Sequence, residues 1–96
     1  MEENKQIIVG LYLTTGQIVI GELMDSTDII TVKNPYFLNI ENGKMVFIPY
    51  LNEFSNDDEF SFVNSAIVNV FKPYDKYIIK YNEIQTEENK KQQLLS

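Results

Sequence analysis

The sequence predicts a mainly-β domain: a small, strongly bent five-stranded barrel followed by a C-terminal α-helix. Three observations carry this. Apolar residues alternate on both sides of a tight turn between Val9 and Leu23, and period two is the signature of a strand with one buried face. Asn42-Gly43 separates two further extended runs, and this pair suits a two-residue hairpin turn that needs positive φ at both positions. After Pro73 the spacing changes to Tyr74, Tyr77, Ile78, Tyr81 and Ile84, one face of a helix.

The first strand is expected from Gln6 to Leu13, with Val9, Leu11 and Leu13 on one face. Gly16 supplies the turn, since glycine takes positive φ without a steric penalty. The second strand covers Gln17 to about Asp25, and its buried set is either Ile18, Ile20 and Glu22 or Val19, Gly21 and Leu23. Gly21 lies inside this strand, where a glycine weakens pairing unless a bend needs it. A bent second strand after a tight hairpin is what closing a small barrel requires. The polar cluster Asp25-Ser26-Thr27-Asp28 turns the chain. A third strand begins at Ile29, is interrupted at Asn34-Pro35, and resumes through Tyr36 to Ile40. Pro35 has no amide proton for a ladder, so it belongs at an edge, a bulge or a bend.

Beyond the Asn42-Gly43 turn, a fourth strand runs from Lys44 to about Leu51, with Pro49 again marking an edge or bulge. Residues 52–59 form a polar, acidic loop. The last strand covers Phe60 to Phe71, strongest at Ala66-Ile67-Val68-Asn69-Val70-Phe71. Pro73 suits the first turn of the following helix and Asp75 its positive end. After Ile84 the apolar face lapses, so the helix is expected over about 73–88, with residues 89–96 fraying or continuing as a solvated helix. The barrel then occupies about 6–72 of a single domain, 1–96.

Composition narrows the function. The chain has 14 acidic residues against eight lysines, a net charge of −6, and no arginine, histidine, cysteine or tryptophan. Disulfides and thiolate metal sites are ruled out. Net negative charge repels phosphates, and the arginines that grip phosphate or guanine bidentately are missing, so DNA is not an expected partner. No apolar run reaches the roughly 18 residues of a membrane span, and the acidic, polar start is unlike a secretory signal. The expectation is a cytoplasmic protein without membrane contact.

Two hydrophobic strands around Leu13-Thr14-Thr15-Gly16, then Gly21-Glu22-Leu23, then Ile30 and Asn34, resemble the first signature of the Sm-like (LSm) family. Leu13, Gly16, Gly21 and Leu23 match its spacing, and Val63 to Val68 falls where the second signature belongs. Asn34-Pro35-Tyr36, the Pro49 to Phe54 segment, the Ile67-Val68 strand, and Pro73 leading into a helix with Tyr81 are similar to small phage-associated Sm-like proteins, including those of cyanophage type. The likeness covers residues 6–81. It implies an SH3-like bent barrel whose edge strands pair with neighbouring subunits into a closed homo-oligomeric ring of roughly five to seven copies. Phe47, Tyr50, Ala66, Ile67, Val68 and Val70 are the expected subunit interface, since interfaces are enriched in aromatics. Gly16, Gly21, Asn42 and Gly43 are the expected structural turn residues.

Members of the family commonly bind single-stranded RNA. The resemblance implies a stacking residue and an asparagine near the turn between strands two and three, and a basic pair in the second signature. Here those places fall at Asp28, Ile29, Ile30 and Thr31, and at Asn64-Ser65. The aromatic and the basic pair are absent, and Asp25 and Asp28 would ring a pore with negative charge. Asn64 and Ser65 either hydrogen-bond a base edge or shape a turn between strands. Lys33, Lys44 and Lys72 with exposed aromatics are a second candidate RNA surface. Glu53 to Glu59 offers oxygen ligands but lacks the order of a calcium loop. Asp25 and Asp28 as paired carboxylates, and the serines, have no histidine or cysteine partner. The sequence therefore predicts a protein that is not an enzyme, has no cofactor or metal, and has itself as main partner. It acts as a scaffold or interaction platform, with an RNA-binding ring and an accessory or assembly protein of a phage-like particle as the alternatives.

Overall fold

The computed structural model describes the backbone of residues 6–51 and 54–95 and the side-chain surroundings of those up to Glu88. Six strands form one antiparallel sheet: β1 (Ile8–Leu13), β2 (Ile18–Asp25), β3 (Ile30–Glu41), β4 (Lys44–Pro49), β5 (Glu59–Phe62) and β6 (Ile67–Phe71). A 3₁₀ turn, Asn64–Ala66, joins β5 to β6, and helix α1 covers Asp75–Leu95. The order is β4-β3-β2-β1-β6, with β5 on β3.

This corrects the closed five-stranded barrel. The expected last strand from Phe60 to Phe71 is broken by the 3₁₀ turn, so β5 pairs with β3 while β6 crosses to β1. The sheet stays open, because among the described residues no ladder joins β6 to β4 or β5. β4 and β5 lie along the same edge of β3: Tyr36 pairs Pro49 in β4, and Lys33 pairs Glu59 in β5. The excursion between them is described at residues 50–51 and 54–58.

The hairpins follow their turn residues. Asn42 and Gly43 have φ of 54° and 78° and close a two-residue loop between the paired Glu41 and Lys44, as a type I′ turn requires. At the first turn the Gly16 amide donates to the Leu13 carbonyl at 2.9 Å, and Gly16 takes φ of 90°.

The bend at Gly21 is a two-strand feature. Ile20 pairs Tyr36 but Glu22 pairs Lys33, so Gly21 faces both Asn34 and Pro35 across a β-bulge. Asn34 has φ of 51°, a left-handed conformation that asparagine tolerates better than most residues. A Cβ on Gly21 would lie 3.3 Å from the Lys33 carbonyl oxygen and 3.4 Å from the Pro35 Cα. Proline without an amide and glycine without a Cβ are what this crossing admits. The extra residue also reverses the faces of β3: Ile30 and Val32 point into the same cluster as Phe37, while Tyr36 and Leu38 point to the other side.

Two apolar clusters result. On the concave face Val9, Leu11, Leu13, Val19, Val32 and Phe62 are buried, with Leu23, Phe37, Tyr50, Phe60 and Ile67 packed against them. Both alternatives for β2 therefore hold in part: Val19 and Leu23 pack into this cluster, while Ile20 is equally buried on the opposite face. On the other face Ile8, Ile20, Tyr36 and Tyr81 are buried, and α1 supplies Tyr77, Ile78 and Ile84. Tyr74 does not join this face; it precedes the helix and is exposed, accepting the amides of Tyr77 and Ile78 on its carbonyl. Pro73 is buried two residues before α1 rather than inside its first turn. The helix continues to Leu95 beyond the expected 88; the surroundings of side chains in the 89–96 tail lie outside the described residues. No helix among the described residues is long and apolar enough to cross a membrane.

Candidate functional site

The 3₁₀ turn draws two distant turns together. The Thr14 amide donates to the Ala66 carbonyl at 2.9 Å, and the Asn64 side-chain amide donates to the Asp28 carbonyl at 3.1 Å. The fold thus places Asp28 beside Asn64, although they are 36 residues apart in sequence. Thr31 follows in β3, its hydroxyl 2.8 Å from that of Ser61 on β5. Ile29 is half-buried and Ser65 exposed. Asp25 caps its own turn, accepting from the Thr27 amide and hydroxyl, both at 3.2 Å.

This end of the molecule is polar and acidic. Residues 25–31 and 61–66 contain two aspartates and no basic residue, and Phe62, their only aromatic, is buried in the concave cluster. These two turns thus carry neither an exposed ring nor a cation, the groups that ordinarily dominate single-strand binding. One N–H of the Asn64 amide ties the turn.

The expected interface residues divide into two groups. Phe47 packs under α1, 6.2 Å edge-on to Tyr36. Tyr50 sits among Phe37, Phe60 and Phe62, with ring centroids 5.0–5.5 Å away. Ile67 leans on the concave cluster, and Ala66 is half-buried. Val68 and Val70, by contrast, stand exposed on β6, Val68 at 58%. Among the described residues β6 forms one free edge of the sheet, and β4 with β5 forms the other. Ile40 and Ile48 are exposed beside the second edge.

A cleft of about 590 Å³ opens where the bulge, the excursion and α1 meet. Glu22, Asp57, Asp58 and Glu88 line it together with Lys33, Tyr36 and Gln85. Its floor is a knot of hydrogen bonds. The Tyr81 hydroxyl donates to the carbonyls of Lys33 (2.9 Å) and Asn34 (3.0 Å), both turned aside by the bulge. Gln85 donates to the Tyr36 hydroxyl at 2.9 Å, and the Tyr36 and Tyr81 rings meet edge to face at 5.8 Å. Burial pushes the Tyr81 phenol well above the ordinary phenol value, helped by the nearby Glu22 carboxylate. Burial also raises Tyr36, with Glu88 adding to it and the Gln85 hydrogen bond opposing. Both phenols stay protonated and act as hydrogen-bonding struts.

Sequence reasoning missed this cleft. Its visible signal is Asn34-Pro35 in the middle of a strand, paired with a tyrosine on the apolar face of a later helix. Among the described residues no group of three or more histidine, cysteine, aspartate or glutamate side chains is arranged to hold a metal ion. The acidic loop reading that began at Glu53 falls partly outside the described residues.

Comparison with known proteins assigns no family: no protein-family model matches the chain, and no curated protein matches its sequence.

Proposed function

We propose that this chain is a non-catalytic Sm-like subunit that assembles head to tail into a closed ring serving as a scaffold or interaction platform. The observation that carries the reading is the pair of sheet edges left unpaired among the described residues, β6 on one side and β4 with β5 on the other. An exposed edge presents unpaired amides and carbonyls and invites uncontrolled pairing unless it is blunted or covered. Val68 and Val70 on β6 do not blunt it; they add apolar surface. Pairing β6 of one copy with the β4–β5 edge of the next satisfies both edges with one repeated contact, and such heterologous contacts close when the rotation permits. The spacing of Leu13, Gly16, Gly21 and Leu23, shared with the Sm-like family, supports the same arrangement.

RNA binding is the weaker reading. The Asp28–Asn64 juxtaposition favours it, and the absence of a cation or exposed ring in these two turns opposes it. Light scattering coupled to size exclusion tests the ring. Five to seven copies of an 11.2 kDa chain give about 56–78 kDa, and Val68→Lys with Val70→Lys is expected to lower that mass. A clean monomer across the accessible concentration range would sink the proposal.

A further inference from the structure

The excursion between β4 and β5 is tied back to β3 at both ends. The Tyr50 amide donates to the Pro35 carbonyl at 3.1 Å, and the Asn34 amide donates to the Asp58 carbonyl at 2.6 Å. Leu51 turns the chain with φ of 58°, and its carbonyl accepts the amides of Phe54 and Ser55 at 2.9 and 3.0 Å. Phe54, its amide on the Leu51 carbonyl, stands out in solvent, 82% exposed. Neither apolar cluster of the protomer uses it. The acids Asp57 and Asp58 follow it.

The opposite free edge carries a receptive feature. A groove of about 480 Å³ lies between the start of β1, the end of β6 and α1, lined by Ile7, Val70, Phe71 and Ile78. Ile7 is 55% exposed there. Among the described residues the one charged side chain on the groove is Lys72. An apolar knob flanked by acids on one edge thus faces the chemistry of an apolar groove flanked by a lysine on the other. A head-to-tail neighbour brings the two edges together.

We propose that Phe54 of one copy of this chain seats in the Ile7–Val70–Ile78 groove of the next, with Asp57 and Asp58 facing Lys72. The excursion is then the lock of the assembly and the strand edges its rail. This rests on the ring reading above. Aromatic anchors in desolvated pockets dominate interfaces of this kind, and the surrounding charges set register and encounter rate more than affinity.

The chain has no cysteine, so single Phe54→Cys and Ile7→Cys variants can be mixed and treated with a short thiol-reactive cross-linker. The expected result is a Phe54→Cys/Ile7→Cys heterodimer on denaturing gels, with no Phe54→Cys homodimer. Phe54→Ala, which alters an exposed side chain and leaves the cores intact, is expected to weaken assembly about tenfold or more by sedimentation. An assembled wild type with no hetero-cross-link and unchanged Phe54→Ala affinity overturns the lock and leaves the ring standing. A monomeric wild type overturns both. Predominant Phe54→Cys homodimers would mean an isologous contact and also overturn the lock.

Discussion

Replacing Tyr81 with phenylalanine isolates one hydroxyl at the point where helix and sheet meet. The ring is fully buried at 0% exposure, and phenylalanine keeps its volume, so no cavity forms. What is lost is the donor shared by the Lys33 and Asn34 carbonyls at 2.9 and 3.0 Å. The bulge has turned these carbonyls out of regular pairing, opposite a glycine that has no side chain to replace the donor. A typical intramolecular hydrogen bond contributes about 0.5–1.5 kcal/mol, and an acceptor left unsatisfied costs about 1–3 kcal/mol. The site is only partly buried and borders an open cleft, which allows some water access and favours the lower range. The expected loss is about 1–2 kcal/mol, roughly 5–15 °C in Tm for a domain of this size. Urea unfolding followed by far-UV circular dichroism measures it, with a lower midpoint at unchanged slope. Tyr36→Phe is the control. Its hydroxyl accepts from Gln85, which can turn to water instead, so a loss below about 0.5 kcal/mol is expected. A Tyr81→Phe protein as stable as wild type, or a larger loss for Tyr36→Phe, would refute the view that the bulge carbonyls anchor the helix.

Three further outcomes follow from the same contacts. A Cβ on Gly10 would run into the Phe71 ring, so Gly10→Ala should cost about 1–3 kcal/mol but little in a Phe71→Ala background; equal losses in both backgrounds, in a thermal-melt double-mutant cycle, would show that the ring is not the obstacle. Tyr36 and Tyr81 hold their protons more tightly when folded than their ordinary value of 10.0. As pH rises past that value, the unfolded chain therefore releases protons that the folded chain keeps, and stability present below it is progressively lost; urea titrations from neutral to alkaline pH should show this fall, reduced in Tyr81→Phe. Fluorescence anisotropy with oligo(U) and oligo(A) at low salt should show no saturable binding, and micromolar binding abolished by Asn64→Ala would put RNA ahead of the platform reading.

Much of the secondary structure was legible because it is local. Asn42-Gly43 announces its hairpin through the φ values both residues take. Alternation in β1 announces its buried face, and Tyr77, Ile78, Tyr81 and Ile84 mark the helix face that packs. The candidate site was less legible. The sequence marks Asp28 and Asn64 only through a family resemblance, and nothing local says that the Asn64 amide donates to the Asp28 carbonyl. Phe47, Tyr50 and Ile67 read as interface residues because burial against one's own core and burial against a neighbour select the same side chains.

By itself, then, the sequence determined a mainly-β chain with its turns, its strand faces and its terminal helix, together with an acidic character that opposes phosphate. These depend on φ preferences, side-chain period and charge, which act within a few residues. Only the tertiary structure decided that Phe60 to Phe71 is two strands on opposite sides of the sheet, and that Asn34 inserts an extra residue opposite Gly21. It also decided that Tyr81 reaches across 48 positions to the Lys33 carbonyl, and that two edges stay open with Phe54 standing out from one of them. A bulge exists only in the register between two strands, and a carbonyl's distant donor leaves no mark on its own residue. Such features are set by which surfaces meet once the chain has collapsed.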